Sequence, residues 1–156
     1  MGLANRTVSE VLQRHYVALE AGDRLDFADQ VMRLGRIRHL PVVSKGVLVG
    51  IVSNRDILAA SLSKALDFAR GERRTFLHAI EVAEVMTSSV YTVTGDTRLS
   101  DAARLMLQHK IGCLPVVDAG GTLVGLVTET DVLRAALDEA DAAETSAEAK
   151  ATAGGA

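Results

Sequence analysis

The sequence predicts an α+β protein built from two copies of one β-α-β-β-α unit. Three observations carry this. The chain holds two prolines, each inside the same tetrapeptide, Leu40-Pro41-Val42-Val43 and Leu114-Pro115-Val116-Val117. Sliding the chain by 74 residues, and by 75 beyond one extra residue near Gly120, makes 20 of the 53 positions from Val8 to Ala60 identical to their partners. Order-preserving identity with a single one-residue gap marks an internal duplication. Within each copy, apolar residues recur first at helical spacing and then in consecutive β-branched runs.

Taken in order, each copy begins with a lead segment, Val8 to Leu12 or Val82 to Met86. A short extended stretch follows, Val17 to Leu19 or Val90 to Val93. A helix comes next. Leu25, Ala28, Val31 and Met32 in copy one, and Leu99, Ala102, Leu105 and Met106 in copy two, fall three or four apart and define one buried face. The Pro-Val strands are expected at 40–43 and 114–117, with proline near the strand start, where a missing N–H costs least. Turns at Lys45-Gly46 and Ala119-Gly120-Gly121 lead into second strands at 47–52 and 122–127. Both strands are apolar on consecutive residues, which implies burial on two faces. A closing helix starts near Asn54 or Glu129.

A unit of about fifty residues buries too little surface to stand comfortably alone. The two copies are therefore expected to pack together about a pseudo-two-fold axis. The expected organisation is repeat one at 1–60, a helical linker at 61–81, repeat two at 82–137 and an acidic, alanine-rich tail at 138–156. In the linker, the first closing helix should run on to Gly71, and 75–80 should form a short helix. Arg70, Arg73 and Arg74 there read most simply as a solvated basic surface. The tail should begin as helix and fray.

Composition excludes several functions. Aromatic residues are 3% of the chain and tryptophan is absent, so the core is aliphatic and no base-stacking platform is available. Net charge is −3. Without the tail, 16 basic residues face 15 acidic ones, which disfavours non-specific binding to nucleic acid or membranes. The one cysteine, Cys113, excludes an internal disulfide and a multi-thiolate metal site. No run of eighteen apolar residues is present, and the N-terminus lacks a secretory pattern, so the cytoplasm is the default compartment. His15, His39, His78 and His109 lack metal-ligand spacing. There is no G-x-x-x-x-G-K-[ST] loop, which excludes nucleotide hydrolysis of that class. No base–nucleophile pair stands out, so the chain is not expected to be an enzyme.

The most specific local feature recurs where the second strand of each copy turns into its closing helix. It reads Gly50-Ile51-Val52-Ser53-Asn54-Arg55-Asp56 and Gly125-Leu126-Val127-Thr128-Glu129-Thr130-Asp131. A hydroxyl residue three positions before an acid is a capping-box pattern, in which both side chains satisfy orphan N–H groups. That box prefers the longer Glu or Gln, whereas both copies carry Asp. An aspartate one turn into a helix could instead face outward and accept two hydrogen bonds from a vicinal diol such as a ribose. The free N–H groups of the same helix end favour an anion. Spacing leaves both readings open.

The repeat order, the Leu-Pro-Val-Val strand, the Gly-x-Val-Ser/Thr-x-x-Asp ending and the tandem arrangement together resemble a pair of CBS domains, the family named after cystathionine β-synthase. The resemblance spans residues 8–137. It implies a regulatory module that binds AMP, ADP, ATP or S-adenosylmethionine in clefts between repeats and requires no cofactor. It assigns ribose binding to Asp56 and Asp131, and ribose or phosphate contacts to Ser53 and Thr128. Arg38, His39 and Arg55 would face phosphate, and Pro41, Val42, Pro115, Val116, Val17 and Thr92 would enclose the adenine. It also implies a homodimer through the closing helices and an unknown regulated protein as partner. The copies differ: copy two has Gly112, Cys113 and Thr130 where copy one has Arg38, His39 and Arg55, so the two sites should bind unequally. The competing expectation is a ligand-free structural or dimerisation adaptor whose hydroxyl and acidic residues only cap helices.

Overall fold

The computed structural model of the protein describes Leu3, residues 5–62 and residues 72–153. Its mixed helix and strand content follows the predicted order. In copy one, β1 (Leu19–Glu20), α1 (Leu25–Gly35), β2 (His39–Ser44), β3 (Val47–Ser53) and α2 (Asn54–Leu62) follow a single 3-10 turn at Val8–Glu10. Next come α3 (Glu72–His78) and α4 (Val82–Val85). Copy two continues with α5 (Leu99–His109), β4 (Cys113–Val117), β5 (Leu123–Thr128) and α6 (Glu129–Ala153).

Strands β1, β2 and β3 form one sheet in that order, and β4 pairs with β5 in another. β1 lies parallel to β2, with Leu19 opposite Val42, and β3 returns antiparallel, with His39 opposite Ser53. The β2–β3 turn is the two-residue Lys45-Gly46 pair, both at positive φ, as a tight hairpin requires. The extended stretch expected at 90–93 reduces to one parallel bridge, Val93 to Val116. The first helices of both copies end alike, with Arg36 and Lys110 in the left-handed region and their N–H groups bonded to Met32 and Met106 carbonyls. These two positions are 74 apart, so the duplication extends to the backbone caps.

Sequence repeats and compact units do not coincide. One unit gathers the segment ending at Arg14, Thr92–Val116 and the segment from Val124 onward; the other holds His15–Tyr91 with Val117–Leu123. Each unit thus takes the body of one repeat and the lead segment of the other. Val8 is wholly buried in a core with Leu99, Leu114, Val116 and Val127, while Val82 is wholly buried with Leu25, Leu40, Val42 and Ile57. The backbone fixes the exchange in matching ways. Val8 N–H donates to the Thr97 carbonyl and Val82 N–H to the Asp23 carbonyl, while Leu99 N–H donates to Arg6 and Leu25 N–H to Ile80.

Two expectations change, and one lies beyond what is described. α2 is described only to Leu62, and its continuation to Gly71, with Arg70, lies outside the described residues. The linker helix starts earlier than expected, at Glu72. The acidic tail, expected to fray, is helical as far as Ala153. Its alanines and glutamates are strong helix formers, and Glu139 anchors its first half by accepting the Leu3 N–H at 2.9 Å.

Candidate functional site

Both strand-to-helix corners are described, and they share one geometry. Ser53 closes β3 and α2 begins at Asn54; Thr128 closes β5 and α6 begins at Glu129. The first N–H of each helix is held by the residue just before the Pro-Val strand. Asn54 N–H donates to the Arg38 carbonyl at 2.9 Å, and Glu129 N–H to the Gly112 carbonyl at 3.1 Å. That bond sets Arg38 beside the acidic corner of copy one.

The aspartates fold back. Asp56 Oδ2 accepts the Ser53 N–H at 2.6 Å and the Ser53 hydroxyl at 2.8 Å, and Asp131 Oδ2 accepts the Thr128 N–H at 2.8 Å and the Thr128 hydroxyl at 2.7 Å. The hydroxyl oxygens accept the aspartate N–H groups in return, both at 3.4 Å. The capping reading is therefore realised with Asp at the third helical position. The expected preference for a longer acid does not apply, because the cap residue's own N–H and hydroxyl converge on one carboxylate oxygen. Capping nevertheless engages only Oδ2, and a carboxylate offers about four lone-pair positions on two oxygens.

The second oxygen separates the two copies. Asp131 Oδ1 accepts Gln13 Nε2 at 3.0 Å, and the same amide lies 3.1 Å from Oδ2. Four donor contacts then meet the carboxylate, which is only 6% exposed. Asp56 is more open, and among the described residues no donor reaches its Oδ1. Gln13 was not singled out from sequence. Its place is fixed by a reciprocal backbone pair with Leu126, at 2.8 and 3.0 Å, and Thr87 makes the matching pair with Ile51, at 3.0 and 2.9 Å. Glycine makes both crossings possible. A Cβ on Gly125 would lie 2.8 Å from the Gln13 carbonyl oxygen, and one on Gly50 would lie 3.1 Å from that of Thr87.

The remaining candidates sort by burial. Arg38 and Arg55 are exposed near the Asp56 corner, and His39 opens β2 opposite Ser53, half-buried. Cys113, the counterpart of His39, is buried. Desolvation, with the Asp131 carboxylate adding to it, pushes its thiol up to about 12. Val17 and Thr92 are exposed. Val42 and Val116 have no exposed surface, and Pro41 and Pro115 are buried in their strands. These four residues, expected to enclose an adenine, have their side chains packed into the core.

Of the basic group, Arg74 is exposed as expected and Arg73 is not a purely solvated residue. Arg73 is half-buried and grips Asp29 with both terminal guanidinium nitrogens, at 3.1 and 3.3 Å, and Arg33 adds a contact at 3.3 Å. Asp29 is 5% exposed, so Arg73 neutralises a buried carboxylate. Among the described residues, no group of three or more His, Cys, Asp or Glu side chains could hold a metal ion, and no helix is long and apolar enough to cross a membrane.

The CBS domain pattern matches residues 8–63 and 82–138. The chain belongs to the CBS domain family. Its relatives include uncharacterized protein MJ1225 of Methanocaldococcus jannaschii, 31% identical over 134 residues. That match covers 83% of this chain and spans 47% of the relative's length. Solved CBS structures agree in fold. CBSX2 of Arabidopsis thaliana, in complex with AMP, superposes with a TM-score of 0.73 at 32% identity, covering 86% of this chain and 98% of that one. The CBS domain pair of protein MJ0100, in complex with 5-methylthioadenosine and S-adenosyl-L-methionine, gives 0.68 at 27% identity, covering 83% and 94%.

Proposed function

We propose that this CBS pair is a regulatory, non-catalytic module that binds an adenine nucleotide, AMP, ADP or ATP, at the Asp56 corner. The observation that carries the reading is the carboxylate of Asp56. One oxygen is committed to Ser53, and among the described residues the other keeps two lone-pair positions, the number that a vicinal diol of a ribose would fill. Arg38 and Arg55 stand exposed nearby as phosphate partners, and the first turn of α2 offers further donors. The adenosine-containing ligands of CBSX2 and MJ0100 support the ligand class.

The ligand acts by population shift: it favours one arrangement of the protein by its differential affinity for it. The output passes to a regulated protein or to dimer geometry. Leu58 and Leu62 on α2, and Leu133 and Leu137 on α6, are exposed apolar residues at matching places in the two repeats, which supports pairing of two chains. The single cysteine supports a cytoplasmic setting, where disulfides are rare.

A second reading, a ligand-free adaptor, is favoured by the reciprocal caps themselves, since Ser53–Asp56 and Thr128–Asp131 each stabilise a helix start with no ligand. A thermal-shift screen separates the two. A ligand at a hundred times its dissociation constant adds about 2.7 kcal/mol of stability. The sensing reading expects a raised melting temperature with at least one of AMP, ADP, ATP or S-adenosylmethionine. A flat response to all four supports the adaptor.

A further inference from the structure

The two acidic corners share a backbone and a cap, yet one side chain distinguishes them. Gln13 Nε2 spans both oxygens of Asp131, at 3.0 and 3.1 Å, whereas in the other corner the matching backbone position, paired with Ile51, belongs to Thr87. The glutamine is anchored, because its own N–H and carbonyl are paired with Leu126 on the strand that leads to Thr128. Its amide therefore stands in the place where a hydroxyl donor from a ligand would sit. A threonine hydroxyl at this point is two bonds shorter in reach, and no hydrogen bond joins Thr87 to Asp56 among the described residues.

We infer that Gln13 is an internal occupant of the Asp131 corner, so that the chain carries one diol-binding site, at Asp56, instead of two. The inference rests on the reading of Asp56 as a ribose acceptor. A ligand hydroxyl reaching Asp131 has to displace an amide–carboxylate hydrogen bond that is already made and partly shielded from water, whereas one reaching Asp56 displaces only solvent. The residue after each lead segment then decides which repeat is open: glutamine closes it and threonine leaves it open.

Exchanging the two residues tests this, with calorimetric titration of AMP as the readout. The wild-type protein is expected to take up one AMP per chain, lost in Asp56→Asn and kept in Asp131→Asn. Gln13→Thr should raise the stoichiometry to two, and the added site should vanish in Gln13→Thr/Asp131→Asn. Thr87→Gln should weaken the Asp56 site at least tenfold, while Thr87→Ala, which brings no amide, should bind as the wild type does. Two sites in the wild type, a stoichiometry of one in Gln13→Thr, or equal losses in Thr87→Gln and Thr87→Ala would each overturn the role of Gln13. Failure of Gln13→Thr beside a single Asp56-dependent site overturns the gate alone. No uptake by wild type and Gln13→Thr together overturns the sensing reading as well.

Discussion

Gln13 and Asp131 lie 118 positions apart in sequence and meet through a side-chain amide on both oxygens of one carboxylate. The contact exists because the lead segment of the first repeat packs into the compact unit that contains the body of the second. An exchange of this kind gives each acidic corner a neighbour chosen independently of its own repeat. Duplicated corners can therefore diverge in chemistry while the backbone beneath them stays the same.

The divergence predicts different outcomes for one substitution made twice. Asp131→Asn removes acceptors from Thr128 and Gln13 in a buried place, and should cost about 1–3 kcal/mol of stability. AMP affinity should stay within twofold of wild type. Asp56→Asn should cost about 0.5–2 kcal/mol, the range of a lost helix cap, and weaken AMP at least tenfold. Urea denaturation paired with calorimetry measures both, and equal effects at the two positions would refute the asymmetry.

Arg38 is placed by its own carbonyl, which holds the first N–H of α2. On the proposed reading, a guanidinium there would meet phosphate and have no role toward adenosine alone. Charge-assisted bonds to an ionised group contribute about 1.5–3 kcal/mol. Arg38→Ala should accordingly weaken ATP about tenfold or more and adenosine by less than twofold, read by competition titration. Equal losses would count against a phosphate role.

The lead-segment crossings can be broken at glycine. Gly125→Ala places a methyl group against the Gln13 backbone, which is pinned by its pair with Leu126. Overpacking of this kind costs about 1–3 kcal/mol. Thermal denaturation should show the loss, whereas Gly22→Ala, with nothing near its Cβ, should show little. A fully stable Gly125→Ala protein would mean that the crossing is looser than its hydrogen bonds indicate.

Cys113 should be chemically silent. Burial first, and then the nearby Asp131 carboxylate, raises its thiol to about 12. The thiolate is the nucleophile, so iodoacetamide at pH 8 should leave the folded protein unmodified and label one thiol per chain in denaturant. The sign for stability follows. Because the folded value lies above the unfolded one, near 8.5, the contribution of the buried thiol is fully present below about pH 8 and is lost as pH rises toward 12. Cys113→Ala should flatten that part of the alkaline stability profile.

Much of the fold was legible because duplication and apolar spacing act locally. The paired Pro-Val strands, the helices ending at Gly35 and His109, and the hairpin at Lys45-Gly46 all follow from residues close in sequence. The Ser53–Asp56 and Thr128–Asp131 corners were legible for the same reason, with their capping and binding roles left open. What sequence spacing could not show depends on contacts between distant segments. Gln13 gains its partner only through the crossing, and Arg73, which reads as solvated, is drawn inward because Asp29 is buried on α1. Val42 and Val116 read as ligand-facing from the family resemblance, and they are enclosed because both faces of their strands are covered.

The central claim is that Asp56 caps its helix with one oxygen and receives a nucleotide's sugar with the other. A crystal structure of the protein grown with AMP tests it most directly. The expected density places the ribose hydroxyls within hydrogen-bond distance of Asp56 Oδ1, with Asp131 still bonded to Gln13. AMP bound elsewhere, or bound with its ribose on Asp131, would contradict it.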